Sequence, residues 1–183
     1  MKRANNLCST VTSFGNLDRA TSRAAKGKRL QTNVAQFLFD RERQLFQLQD
    51  ELISRTYQPG GYRTFEIFEP KRRMISAAPF RDRVVHHALC GVLEGIFEPS
   101  FIFDSYACRR GKGTHAAISR FQSYARNHRY VLQCNVRKFF PSVDHKILKQ
   151  LIARKVKDQD VLWLAGRKTE TGFSDFAFFP TIA

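Results

Sequence analysis

Between residues 33 and 54 the apolar positions Val34, Phe37, Leu38, Leu45, Leu48 and Leu52 fall at helical spacing and predict one amphipathic helix. A second stretch, 82–97, repeats Val84, Val85, Ala88, Leu89, Val92, Leu93 and Ile96 in steps of four. Asp82 is its candidate N-cap, and it closes before Pro99. A shorter helix is expected over 16–25, stopped by Gly27. Another follows Thr114 to about residue 125, with Ala117, Ile118, Phe121 and Tyr124 on its buried face. Asp144 opens a further helix that turns Ile147, Leu148, Leu151 and Ile152 inward. Aromatic and β-branched residues crowd into 62–68, and a basic turn, Pro70-Lys71-Arg72-Arg73, leads to a second short strand over 74–77. Residues 130–136 read as a third, apolar strand. From Gly166 the helical periodicity stops, and 167–183 holds Phe173, Phe176, Phe178 and Phe179 without alternation or caps. The layout is α+β, helices with short antiparallel strands.

Composition narrows the partners. Lys and Arg number 31 against 16 Asp and Glu, a net charge of +15 over 183 residues. An apolar fraction of 43% with 17 Phe excludes a disordered basic tail. No apolar run reaches the roughly 18 residues of a membrane span. Polar residues follow Met1-Lys2-Arg3, so no secretory leader is expected. Cys8, Cys90, Cys108 and Cys134 lie far apart, which disfavours zinc ligation and a disulfide framework and favours a cytoplasmic chain with reduced thiols. Such a charge calls for a polyanion, nucleic acid first and an acidic membrane second.

Three segments could carry chemistry. In Pro70-Lys71-Arg72-Arg73 three cations on a tight turn can face one phosphate, Lys as a point charge and Arg as a bidentate fork. A solvated hairpin tip is the plainer reading. In Ser105 through His115, which contains Arg109-Arg110-Gly111-Lys112-Gly113-Thr114, glycine permits close backbone approach ahead of a helix N-terminus. The spacing is not that of a Walker loop, and a phosphate-binding loop and a simple lead into the helix stand equal. In Tyr130–His145 a strand runs to Asn135, then to Phe139 and Phe140, then to a helix capped by Asp144. His86, His87, His115 and His128 show no metal-ligand spacing and read as structural.

Together these segments resemble the reverse transcriptases of bacterial retroelements, the group II intron and retron-like RNA-directed DNA polymerases. The chain looks closest to the stand-alone or diversity-generating branch. The resemblance is carried by Phe68-Glu69-Pro70-Lys71-Arg72-Arg73-Met74-Ile75, by Pro79 through Leu89, by Phe101 through Ile118 and by Tyr130 through His145, in that order. It implies the fingers and an incomplete palm of a right-hand polymerase: residues 1–129 fingers-like, 130–165 the start of the palm, 166–183 an aberrant or disordered tail. Lys71 and Arg73 match positions that neutralise an incoming nucleotide's triphosphate. Arg72, Arg109, Arg110 and Lys112 match nucleic-acid contacts. Phe140 resembles the steric gate that favours deoxynucleotides, although core packing would also account for Phe139 or Phe140. The partners implied are RNA, an RNA/DNA hybrid and, in intact relatives, a deoxynucleotide.

The departures bear on activity. The strand-end position where the family carries a metal-binding Asp is Asn135 here. Two Mg²⁺ ions about 4 Å apart need bridging carboxylates, and Asn removes the charge and the second oxygen. No Asp-Asp pair occurs, so the family's Tyr-x-Asp-Asp motif is absent. Mg²⁺, expected for an intact member, is not expected in this chain as it stands. The expectation is a truncated, catalytically inactive reverse transcriptase domain whose odd tail reflects a frameshift. The alternatives are a non-catalytic RNA-binding module and one half of a split polymerase.

Overall fold

The computed structural model describes residues 3–68, 72–137, 139 and 142–170, with the side chains of Arg73 and of 168–170 left aside. The order is α1 (Cys8–Thr12), α2 (Phe14–Ala24), α3 (Thr32–Phe39), α4 (Arg41–Ile53), β1 (Arg63–Ile67), β2 (Arg73–Ala77), α5 (Phe80–Phe97), α6 (Thr114–Ala125), α7 (His145–Lys155) and α8 (Gln159–Glu170). The class is α+β. Among the described residues no helix is long and apolar enough to cross a membrane.

The core gathers around α5. Val84, Val85, Ala88, Leu89 and Leu93 are buried there against Leu17, Ala20 and Ala24 of α2. The alanines let the two backbones approach closely. Asn16 locks the junction by donating Nδ2 to Val11 O (3.0 Å) and Ala88 O (3.1 Å). The periodic stretch 33–54 is two helices, not one. It breaks at Asp40 (φ −115°, ψ 36°), and the break lets Val34 and Phe37 of α3 and Leu45, Leu48 and Leu52 of α4 all reach the same core. Phe37 meets Phe80 edge-on at 5.0 Å.

A long-range tie closes the molecule. Ala4 bridges Val156 in parallel, and buried Asp158 accepts from Leu7 N (2.7 Å) and Cys8 N (2.9 Å) through Oδ2. Its Oδ1 accepts from Asp160 N (3.0 Å) and Val161 N (3.2 Å). One carboxylate thus satisfies the first amides of two helices, donors that no intrahelical carbonyl can serve. Burial opposes its charge, but the backbone donors outweigh it and hold the carboxyl below its usual range.

Several expectations need correction. Helix α5 begins at Phe80, so Asp82 is not its N-cap but a buried residue inside the first turn. Helix α8 runs through Gly166 to Glu170, past the point where periodicity stops. The expected strand over 130–136 is absent, and those residues are exposed and irregular. A strand needs a neighbour for its amides and carbonyls, and the described sheet holds only β1 and β2. The apolar faces of α6 and α7 are also less covered than their spacing suggests. No residue of α6 is buried, and in α7 Ile152 is buried while Ile147 and Leu151 are exposed. Asp144 does cap α7, accepting from Lys146 N (2.7 Å) and Ile147 N (3.2 Å). The tail 171–183 lies outside the described residues.

Candidate nucleic-acid interface

The hairpin β1–β2 pairs Arg63 with Ala77 through to Ile67 with Arg73. A lone two-stranded ribbon is marginally stable in water, so its attachment matters. Tyr57 Oη donates to Asp82 Oδ1 (2.7 Å), and Gly60 N donates to Asp82 Oδ2 (2.8 Å). A Cβ on Gly60 would meet Pro79 Cγ at 3.0 Å, so a larger residue here would press on the proline that precedes α5. Burial, with Asp82 alongside, pushes the Tyr57 phenol far above its usual range. The Tyr57 side of the latch therefore stays a neutral hydroxyl donor at any ordinary pH. At the other end Arg72 forks onto Glu66, with Nε to Oε2 at 2.9 Å and Nη2 to Oε1 at 2.6 Å. That exposed bidentate pair ties one of the three tip cations across the ribbon. Lys71 lies outside the described residues, and Arg73 is placed only as the β2 residue opposite Ile67.

The loop after α5 is organised by two residues. Arg109, with its side chain only 11% exposed, pairs with Glu98 (2.7 Å) and donates to Ile102 O (2.8 Å) and Ser105 O (3.0 Å). Its guanidinium also lies 5.5 Å from the Phe101 ring. Arg109 is thereby a clamp that folds the loop, whereas Arg110 beside it is exposed and pairs with no carboxylate among the described residues. The second organiser is Asp104. It accepts from Arg120 Nε (2.9 Å), Tyr106 Oη (2.9 Å) and Tyr124 Oη (3.1 Å). The Arg120 hydrogen bond leads the effects that hold the Asp104 carboxyl below its usual range. Lys112 contacts the Phe103 carbonyl and sits over two rings, 4.0 Å from Phe103 and 4.9 Å from Tyr106. Gly113, at φ +115°, makes the turn from this loop into α6.

Beyond α6 the chain runs exposed from Arg126 to Arg137. Asn135 lies on this segment, outside any strand. Phe139 is exposed, and Phe140 lies outside the described residues. Asp144 is committed to the α7 amides. Among the described residues no three His, Cys, Asp or Glu side chains gather as a metal site. The structure brings Arg109, Arg110 and Lys112 together on one loop. The cluster of Asp104, Tyr106, Arg120 and Tyr124 has no motif in the sequence. Its one legible signal is that Asp104 is the sole acidic residue from 101 to 137, against seven Lys and Arg.

No protein-family model matches the chain. It is similar to curated proteins over part of its length. Protein YkfC of Escherichia coli K12 is 28% identical over 141 residues, 72% of this chain and 36% of that protein. Nuclear intron maturase 1, mitochondrial, of Arabidopsis thaliana is 31% identical over 106 residues, 57% of the chain and 15% of the maturase. The group II intron-encoded protein LtrA of Lactococcus lactis is 26% identical over 121 residues, 64% of the chain and 20% of LtrA. The chain thus spans about a third or less of the length of these relatives. Its homologues include group II intron-encoded proteins and intron maturases.

Proposed function

We propose that this chain is a reverse-transcriptase-related RNA-binding unit of the cytoplasm, equivalent to the fingers and the start of the palm, that does not polymerise by itself. The reading is carried by the segment 101–137, a largely exposed stretch with seven Lys and Arg against one acidic residue; Arg109 is held by Glu98 and Arg120 by Asp104, and Arg110, Arg126, Arg129 and Arg137 are exposed. A polyanion is the partner such a surface favours, and phosphate contacts make binding salt-dependent. Intron maturases among the relatives favour RNA over DNA as that polyanion. Asn135 supports the second half of the proposal, because an amide cannot bridge two Mg²⁺ ions. On this reading Lys71, Arg73 and Phe140 keep side chains suited to a triphosphate and a sugar but lack the metal centre that would use them.

Fluorescence anisotropy of the full chain with labelled RNA tests the first half. Affinity is expected to fall at least about tenfold between roughly 50 and 200 mM salt. A folded chain that leaves RNA unbound at low salt would refute it. Primer extension with Mg²⁺ and deoxynucleotides tests the second half. No extension is expected, and template-directed product would overturn the inactivity.

A further inference from the structure

Helix α6 and the loop before it form a surface that simple phosphate binding does not explain. Phe103 is 70% exposed, Phe121 52% and Tyr124 46%. Phe121 and Tyr124 are three residues apart on one helix face. The Arg120 guanidinium lies 4.6 Å from the Tyr124 centroid and 5.5 Å from that of Phe103, bridging helix and loop. Asp104 fixes the arrangement. It accepts hydrogen bonds from the hydroxyls of Tyr106 and Tyr124 and from Arg120 Nε, while Arg120 Nη2 donates to Tyr124 Oη at 2.9 Å. The Tyr124 ring is thereby held at its polar end with much of its side chain in water. Exposed rings usually keep rotational freedom and lose it on binding, and the Tyr124 ring has largely lost it beforehand.

We propose that Phe103, Arg120, Phe121 and Tyr124 form a stacking platform for unpaired bases, so that the chain prefers single-stranded RNA to duplex. This rests on the RNA-binding reading above and sharpens it. Rings and guanidinium planes bind bases only when the bases are unstacked and reachable, as in loops and single strands. In an A-form duplex the bases are stacked on one another, and only backbone and shallow-groove edges face a protein. The charge around the platform fits a polyanion. Arg110, Arg126, Arg129 and Arg137 are exposed on the same stretch, and Asp104, its sole acid, is bonded to Arg120. A protein partner docking on the same face would need acidic groups against these arginines.

The test compares single-stranded RNA carrying 2-aminopurine with a duplex of equal length, using the full chain at fixed salt. Binding is expected to be at least about tenfold tighter for the single strand and to quench the 2-aminopurine. Phe121→Leu keeps apolar bulk and leaves the Asp104 bonds intact, but removes a ring face. It is expected to lose roughly fivefold or more in affinity for the single strand, with the duplex affinity and the salt slope unchanged. Tyr124→Leu is expected to lose at least as much. Equal affinity for both RNAs with no loss in either variant overturns the platform and leaves RNA binding standing. Failure to bind either RNA at low salt removes the RNA-binding reading itself. Reversible self-association that Phe121→Ala abolishes and RNA cannot displace assigns the face to a second copy instead, and also overturns the platform.

Discussion

Helices α5 and α6 carry apolar residues at the same spacing and meet opposite fates. Eight residues of α5 are buried, whereas α6 buries none. The contrast shows that periodicity reports a face, and that only the surrounding chain decides what the face is for. In α5 it meets α2 and α3 and becomes core. In α6 it stays in water beside arginines, where an aromatic ring and a cation are more use to a ligand than to packing. Truncating the two faces equally is the most direct way to break this comparison. Leu89→Ala in α5 is expected to destabilise the fold by about 2–5 kcal/mol, the usual range for a buried leucine. Ile118→Ala in α6 is expected to change it by roughly 0.5 kcal/mol or less, as for an exposed position. Urea denaturation of both variants checks this. A loss at Ile118 as large as that at Leu89 would mean that the α6 face is covered in solution.

Asp158 sharpens the same contrast, because it binds α8 and the N-terminal segment to the α5 side of the molecule. Asp158→Ala leaves four backbone N–H groups without their acceptor, three of them part-buried and that of Val161 buried, and a buried donor left unpaired costs about 1–3 kcal/mol. The sign of the pH effect follows from the lowered carboxyl. Its contribution is present above the unfolded-state value near 3.9 and is lost as pH falls through the lower folded value. The wild-type chain is therefore expected to lose stability through this pH window, and Asp158→Asn to lose less there. A variant with an unchanged acid limb would show that Asp158 is not the group responsible.

Local chemistry made part of this architecture legible. The β1–β2 ribbon, the Asp144 cap and the body of α5 follow from turn residues, a capping side chain and an uninterrupted period. What stayed hidden depends on partners far along the chain. The break at Asp40 serves a core assembled from other helices. Helix α1, five residues long, carries no usable period, and its first amide is served by Asp158, 150 residues away. The 130–136 segment has strand composition, yet composition cannot supply the neighbour that a strand requires. In the candidate interface, basic and glycine residues marked the loop. Nothing in the order of residues distinguishes Arg109 from Arg110, or singles out Asp104 as the acceptor for Arg120 and two tyrosines.

Those two adjacent arginines give the finest test of the comparison between a structural surface and a binding one. Arg109 holds Glu98 and two loop carbonyls, so Arg109→Ala is expected to unfold the loop locally and to lower stability by about 1.5–3 kcal/mol, the range for hydrogen bonds to a charged group. Arg109→Lys restores only a point charge and cannot reach the carboxylate and both carbonyls with one planar fork. Arg110 is exposed on the same loop, so Arg110→Ala is expected to leave the denaturation midpoint in place. Its effect belongs to RNA alone. With one cation fewer against the phosphates, the salt slope becomes shallower by about 0.7 to 0.9, and the preference for single strands stays intact. Anisotropy titrations at several salt concentrations, paired with urea curves, separate the two residues. If Arg110→Ala lowers stability as Arg109→Ala does, the loop is a single structural unit and its charge is no guide to where RNA sits. If Arg109→Ala weakens RNA binding with no change in stability, Arg109 is a ligand residue and the Glu98 pair is a resting state that RNA displaces.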